Sequence, residues 1–205
     1  MGDDEILELN QFEALIQGLI DDQYGCCNDF LLPATVEGLR TNMSTLKAAG
    51  VMKPAGIGNK VAFQKDTSIR GDKVNWIQDE STNQYEVIYL SKIGRFIDHL
   101  NKTCFTSIKT FESHYAHFEI GSFYKRHIDQ FKSEKGRKYS IVLYLNQDWK
   151  QEDDGMLSLY PSQGVQKDIS PLEGRMVFFR SDEMEHEVHP SQTRDRRSIA
   201  GWLKN

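Results

Sequence analysis

The second half of the chain is a series of short segments rich in β-branched and aromatic residues, and this pattern restricts the fold more than any other feature. Clusters of Asp, Gly, Pro and Ser separate the segments, as expected for strands joined by turns. The segments read, in order, SIKTFESHYAHFEI, YSIVLYLN, MLSLYP, RMVFFR, HEVHP and RRSIAGWLK. Many short strands at regular spacing predict a β-sandwich or a small barrel.

The first half of the chain favours helices. Residues 12–20, FEALIQGLI, carry apolar side chains at helical spacing. A second helix is predicted to begin at Pro33 and to end near Gly50, because Pro suits a first helical turn and Gly suits a helix end. A third is predicted over residues 86–102. Since the helices precede the strands, we expect them to pack on one outer face of the β structure.

Length and composition narrow the class of protein. A chain of 205 residues fits one domain, with helical support over about residues 1–103 and a β core over about residues 104–205. The net charge of -5 disfavours nucleic acid or an anionic membrane as partner. No apolar run is long enough for a transmembrane helix, and the acidic N-terminus lacks the pattern of a secretory signal. With three cysteines and no CxxC pair, we expect a cytoplasmic protein.

The connection before the third helix is the least regular part of the sequence. Residues 61–84, VAFQKDTSIRGDKVNWIQDESTNQ, alternate only weakly and contain many polar residues. They predict a strand followed by a long, mobile loop, and long loops in compact domains are often functional. The Arg-Gly-Asp triplet within them is typical of a turn.

Two histidines and an aspartate suggest a metal site. His127 and Asp129 are two residues apart, so an extended backbone would point both side chains to the same face. His186, far along the chain, adds a second imidazole. Two His and one carboxylate form the facial triad of non-haem Fe(II) oxygenases, which leaves coordination positions open for a bidentate 2-oxo acid and for dioxygen. His189 is an alternative to His186 as the third ligand.

An arginine and a tyrosine extend this pattern. Arg196 follows His186 by ten residues. A 2-oxo diacid that chelates iron at one end presents a second carboxylate at the other, and a guanidinium binds a carboxylate in a fixed bidentate geometry. Tyr144 can donate a hydrogen bond to the same carboxylate. Of the remaining histidines, His99 is more typical of a helix end or the surface, while His114 and His117 flank the proposed site and are weaker candidates.

These motifs together resemble the prolyl 4-hydroxylase-domain family of Fe(II)- and 2-oxoglutarate-dependent dioxygenases, which includes the oxygen-sensing hydroxylases of animals and their bacterial relatives. The resemblance covers about two-thirds of the chain, residues 69–203. The matching segments are IRGDKVNWI, GSFYKRHIDQF, VLYLNQDW, DGMLSLYP, RMVFFRSD, HEVHP and RRSIAGW. The family fold that it implies is mainly β with flanking α: a double-stranded β-helix, or jelly roll, braced by N-terminal helices.

The resemblance also implies roles for individual residues. Iron would be held by His127, Asp129 and His186, and the distal carboxylate of 2-oxoglutarate by Arg196 and Tyr144. Further pocket positions would be Tyr124, Val142 and Leu157, which pack around the cosubstrate, and Trp202 below it. The segment around Arg70 to Trp76 would match the mobile loop that folds over the substrate, with Arg70, Asp72 and Trp76 as its contacts, and we expect residues 69–83 as a whole to act as a lid. One departure is Phe118, which stands where many members carry a tyrosine, so a hydrogen bond worth about 1 kcal/mol is missing there.

The implied activity is hydroxylation of a prolyl residue in a protein substrate, with release of succinate and CO2. By analogy with bacterial relatives, an exposed proline of elongation factor Tu is a candidate substrate. The implied cofactors are Fe(II), 2-oxoglutarate and O2, with ascorbate as a candidate addition, and a monomer is favoured. Two alternatives stay open: the same chemistry on another amino acid or a small molecule, and a metal-binding jelly roll without turnover. A zinc hydrolase is disfavoured because no HExxH motif is present.

Overall fold

Three helices form one layer of the protein. The structure, a computed structural model, describes residues 2–56, 68–130 and 136–205. Helix α1 spans Asp3–Asp22, α2 Pro33–Ala48 and α3 Gln84–Thr103. Local chemistry defines their ends, because acidic residues occupy the first turn of α1 and the Asn83 side chain accepts hydrogen bonds from the backbone amides that open α3. All three predicted helices are present.

Apart from a short 3-10 helix at Gln151–Asp153, strands make up the rest of the regular structure in the described residues. They are β1 Tyr24–Cys27, β2 Lys53–Pro54, β3 Lys73–Ile77, β4 Thr110–Phe118, β5 Tyr124–His127, β6 Arg137–Tyr144, β7 Leu157–Tyr160, β8 Lys167–Ile169, β9 Met176–Arg180, β10 Glu185–Val188 and β11 Arg196–Lys204. Within the described residues they form a seven-stranded sheet, β1-β9-β6-β11-β4-β3-β2, and a four-stranded sheet, β5-β10-β7-β8. The pairings are antiparallel, and the architecture is the expected double-stranded β-helix.

The larger sheet has two buried faces, and alternation along its strands separates them. On β11, Ile199 and Leu203 pack with the helices in the main hydrophobic core. Arg196, Ala200 and Trp202 line a pocket on the other face, between the two sheets. A strand period of two accounts for this division. The prediction that the helices pack on one outer face of the β structure is confirmed.

The region between α2 and α3 differs from its prediction. The first part of the predicted strand and loop, residues 61–67, lies outside the described residues. Lys73–Ile77 is strand β3, antiparallel to β4, so the prediction of a mobile loop is wrong there. The segment has weak alternation of its own, and its pairing with β4 determines its conformation. A loop over residues 69–83 therefore cannot move as a unit without breaking sheet pairing.

The short strands β1, β2 and β8 also had no counterpart in the sequence prediction. β1 pairs with β9 at one edge of the larger sheet. β1, β2 and β3 all precede residue 104, so the division into helical support and β core at residue 103 is not a boundary between helices and strands. Over the described parts of the chain, none of the helices has the length and hydropathy needed to span a membrane.

Candidate active site

The three predicted metal ligands converge at one end of the smaller sheet. His186 on β10 lies directly across from His127 on β5, so antiparallel pairing turns both imidazoles to one face, with ring centroids 4.2 Å apart. The Asp129 carboxylate lies 3.4 Å from His127 Nε2 and 3.6 Å from His186 Nε2. One ligand atom from each residue falls within 4.8 Å of the others. Ligands about 2.1 Å from a shared ion would be spaced at roughly this scale.

The backbone at Asp129 differs from the prediction that His127 and Asp129 lie on one extended strand. Strand β5 ends at His127, and Asp129 lies in a bend after it, outside the strand. The alternative ligand His189 lies elsewhere: its Nε2 is 2.7 Å from Ser158 Oγ and 3.4 Å from a Glu187 carboxylate oxygen. The geometry therefore favours His186 over His189.

Backbone contacts fix the orientation of both imidazoles. Nδ1 of His127 donates to the Lys125 carbonyl at 2.7 Å, and Nδ1 of His186 donates to the Met184 carbonyl at 3.1 Å. A carbonyl only accepts, so in the neutral ring the proton is on Nδ1 and the lone pair on Nε2 faces Asp129. Burial lowers the pKa of His186 to about 4, against the opposing charge of Asp129, and keeps this ring neutral at physiological pH.

Ser140 on β6 orients the carboxylate. Its hydroxyl donates to Asp129 Oδ2 at 2.7 Å and lies 2.8 Å from the Ser181 hydroxyl. Burial alone would raise the pKa of Asp129, but His186, His127 and the Ser140 hydrogen bond outweigh it, and the net shift is downward. Asp129 is thus held as a carboxylate, the form that binds a divalent cation.

We expect Ser140→Ala to weaken divalent metal binding about 10- to 100-fold, because partners that orient a metal ligand commonly contribute that much. Mn(II) titration by calorimetry would measure the loss. Ser181→Ala is the matched control, since its hydroxyl contacts Ser140 but not the carboxylate, and we expect a much smaller loss. Equal affinities for wild type and Ser140→Ala would contradict the role given to Ser140.

The pocket between the sheets contains a buried guanidinium without an anionic partner. Arg196 is 1% exposed, and its Nε donates to the Gly155 carbonyl at 3.0 Å. Among the described residues it makes no ion pair with a carboxylate. The guanidinium carbon lies 5.0 Å from the centre of the Tyr144 ring. The Tyr144 hydroxyl is buried, and it has no hydrogen-bond partner among the described residues. Burial raises the pKa of Tyr144 to about 12, so the phenol stays a donor. These two groups suit an incoming carboxylate.

The other predicted residues of the pocket are those expected to surround the cosubstrate and those expected to contact the substrate. Tyr124, Val142, Leu157 and Trp202 all line the pocket, and the Tyr124 ring stacks on His127 with centroids 3.5 Å apart. Phe118 lines it too, with its ring 5.2 Å from the guanidinium carbon of Arg196.

The predicted substrate contacts lie in or beside the sheet. Arg70 and Asp72 line the pocket and form a bidentate ion pair, with Nε–Oδ1 at 2.5 Å and Nη2–Oδ2 at 2.8 Å. The Arg70 guanidinium also lies 4.5 Å from the centre of the Tyr124 ring. Trp76 is part of β3 and packs beside His114. The Arg-Gly-Asp triplet is thus one wall of the pocket.

The sequence prediction assigned no role to two polar residues of the site, Ser140 and His114. Ser140 shares a strand face with Val142 and Tyr144, so strand alternation in YSIVLY could have identified it. His114, which the sequence placed only beside the site, lines the pocket on the same face of β4 as Ala116 and Phe118. In both cases the signal was the period of two in a strand already predicted.

Comparisons with known proteins agree with this geometry. A sequence model of the 2OG-Fe(II) oxygenase superfamily matches residues 113–204. A prolyl-4-hydroxylase of Pseudomonas putida is 31% identical, with 95% of this chain and 100% of that chain covered and a TM-score of 0.87. A prolyl hydroxylase of Trichoplax adhaerens, solved with a hypoxia inducible factor oxygen degradation domain peptide, is 25% identical, with 100% and 94% covered and a TM-score of 0.88.

A more distant structure shows the shared fold alone. A prolyl 4-hydroxylase of Phytophthora capsici is 22% identical, with 100% of this chain and 66% of that chain covered and a TM-score of 0.78. The fold and the site define an oxygenase that depends on Fe(II) and 2-oxoglutarate. Within that class, the chain belongs to the prolyl hydroxylase-domain family.

Membership of the family implies Fe(II), 2-oxoglutarate and O2, and the described residues fit the metal and the 2-oxoglutarate. Two imidazoles and one carboxylate are the donor set of a non-haem Fe(II) site with open positions. The buried Arg196 guanidinium, which has no carboxylate partner in the described parts of the chain, fits the far end of a dicarboxylate cosubstrate.

Proposed function

We propose that this protein is a prolyl 4-hydroxylase that modifies a prolyl residue in a protein substrate. The observation that carries the proposal is the pocket itself, where a His-Asp-His cluster and a buried arginine without a carboxylate partner among the described residues line one cavity. His127, Asp129 and His186 hold Fe(II), while Arg196 and Tyr144 hold the distal carboxylate of 2-oxoglutarate. The prolyl substrate is supported by similarity to prolyl hydroxylases at 31% and 25% identity, one of them solved with a peptide.

The bound metal, cosubstrate and O2 together supply an oxidation in which one oxygen atom enters a substrate C–H bond and the other enters succinate, as CO2 leaves. The protein's own residues prepare this reaction by fixing positions. Arg196 and Tyr144 orient the cosubstrate through its far carboxylate, so its other end meets the metal ligands in one geometry. Ser140 holds Asp129, and the backbone carbonyls before the two histidines hold the imidazoles. The apolar walls at Val142 and Leu157 exclude water.

The opening of the pocket is a suitable place for an extended peptide. Tyr124 and His127 are partly exposed, while the Arg70–Asp72 pair is largely buried beside them. The pair fixes the wall next to the metal ligands, so a proline side chain entering there would meet a rigid surface. An exposed proline of elongation factor Tu is one candidate substrate. We also propose that the protein uses ascorbate and is a cytoplasmic monomer. Residues 1–205 form a single domain in this proposal.

The decisive experiment is coupled turnover. Purified protein is incubated with Fe(II), labelled 2-oxoglutarate and proline-containing peptides, and both CO2 release and peptide mass are measured. We expect CO2 release to depend on the peptide, with a gain of one oxygen atom on proline. Peptides with alanine in place of proline serve as matched controls. Oxygen gained on another residue would redirect the proposal to a different substrate, and the absence of any peptide-dependent turnover would contradict it.

A further inference from the structure

His114 on β4 is a buried histidine whose ring makes no hydrogen bond. It is 2% exposed, and neither Nδ1 nor Nε2 has a partner within the described parts of the chain. Buried polar side-chain atoms in native proteins are nearly always hydrogen-bonded. Because leaving two such atoms without partners costs folding free energy, a histidine at this position is disfavoured by stability alone. Positions of this kind are often functional.

The surroundings of the ring show what it can offer a ligand. It contacts two tryptophans, with centroids 4.9 Å from Trp76 and 5.4 Å from Trp202, and it lines the same pocket as the metal-binding cluster. Burial lowers the pKa of His114 to about 3, so the ring is neutral at physiological pH. A neutral imidazole presents one N–H donor and one acceptor.

Strand pairing places His114 between the two ends of the pocket. Ala200 on β11 pairs with His114 on one side and with Val142 on the other, which makes one row across three strands. The next pocket-facing row in one direction contains Tyr144, beside the buried arginine, and the next in the other direction contains Ser140, which holds the carboxylate ligand. Such rows are about 6.6 Å apart along a strand. A five-carbon diacid reaching from Tyr144 towards the metal ligands therefore passes the row of His114.

We propose that His114 is a cosubstrate-binding residue, whose ring hydrogen-bonds to the metal-chelating end of bound 2-oxoglutarate, its 1-carboxylate and 2-oxo group. This inference rests on the proposed function, since it requires a 2-oxo acid in the pocket. An uncharged N–H donor suits that end, because it stabilises a carboxylate oxygen without adding positive charge beside a cation. On the same face of β4, Ala116 and Phe118 offer no hydrogen bond, so His114 is the polar side chain that this face presents to the pocket.

The test uses the full chain and two variants, His114→Leu and His114→Gln. Binding of 2-oxoglutarate is measured by calorimetry in the presence of Mn(II), and thermal unfolding is measured on the metal-free protein. We expect His114→Leu to bind 2-oxoglutarate at least tenfold more weakly, about 1.4 kcal/mol. We also expect its melting temperature to rise by roughly 2–4 °C, because two unpaired polar atoms are removed. His114→Gln keeps a donor and an acceptor and should recover most of the affinity.

The combination of weaker binding and higher stability distinguishes this role from a structural one. His117→Leu is the matched control, because His117 is a buried histidine on the same strand but faces the helices, with Lys47 Nζ 3.0 Å from its Nε2. We expect that variant to lose stability and to keep the affinity for 2-oxoglutarate. If His114→Leu instead loses both stability and affinity, recovery of affinity in His114→Gln would support the inference, and its failure would overturn it.

The two proposals fail in different ways. Unchanged 2-oxoglutarate affinity in His114→Leu, with normal binding by wild type, would overturn the role of His114 alone. Failure of the wild-type protein to bind 2-oxoglutarate in the presence of Mn(II) would overturn the proposed function and this inference with it.

Discussion

Asp129→Ala is expected to abolish succinate formation and to weaken divalent metal binding by at least about 10³-fold, because it removes the anionic ligand of the site. The carboxylate lies within 3.6 Å of both histidine Nε2 atoms, and its low pKa means that it carries a full negative charge towards them. Without it, the two imidazoles alone would have to hold a dication. Mn(II) calorimetry and succinate release measure the two effects separately.

Glu185→Ala provides the matched control for this variant. Glu185 is a carboxylate adjacent in sequence to His186, but it is exposed and pairs with Arg126 on the surface. An exposed ion pair contributes little to stability, so we expect nearly wild-type metal affinity and turnover. If Asp129→Ala retained wild-type turnover, Asp129 would not be a ligand and the site assignment would be wrong.

Arg196→Gln is expected to raise the concentration of 2-oxoglutarate needed for half-saturation by about 10²-fold while leaving Mn(II) affinity unchanged. The guanidinium is buried and lacks a carboxylate partner in the described structure, so its loss removes a desolvated ion pair with the cosubstrate, which is commonly worth about 2–5 kcal/mol. Titration of 2-oxoglutarate in the decarboxylation assay, together with direct Mn(II) binding, separates the two affinities.

Arg197→Gln is the corresponding control, since the neighbouring arginine lines a different cavity, with Lys47 and Met43, on the outer face of the sheet. Tyr144→Phe should give an intermediate loss of about tenfold, because one hydrogen bond to a charged group contributes about 1.5–3 kcal/mol. An Arg196→Gln variant with unchanged cosubstrate dependence would show that another residue binds the distal carboxylate.

Much of the fold could be predicted because its signals are local. Pro33, Asn83 and the apolar stripes define helices within a few residues of sequence, and the strands that line the pocket alternate clearly enough to be recognised. Candidate ligands also stood out, since His127 and Asp129 are two residues apart. The pocket residues on β6 and β11 follow from the same period of two.

What could not be predicted depends on contacts between distant segments. Lys73–Ile77 is a strand because it pairs with β4, and its own sequence gives little indication of this pairing. Asp129 joins the histidines through a bend and a hydrogen bond from Ser140, which no short-range pattern encodes. The sequence also could not predict that the His114 ring has no hydrogen-bond partner among the described residues, because this depends on how the folded chain packs around the ring.

The register of β11 has a further consequence for how this enzyme can vary. The strand is paired on both sides, from Arg196 opposite Phe118 to Lys204 opposite Thr110 on β4 and with β6 along most of its length. If the pairing of β11 shifted by one residue, Arg197 would take the place of Arg196 in the pocket. Ile199 would then point into the pocket and Ala200 towards the helices. Insertions and deletions should therefore be tolerated in the turn before β11 and selected against within it.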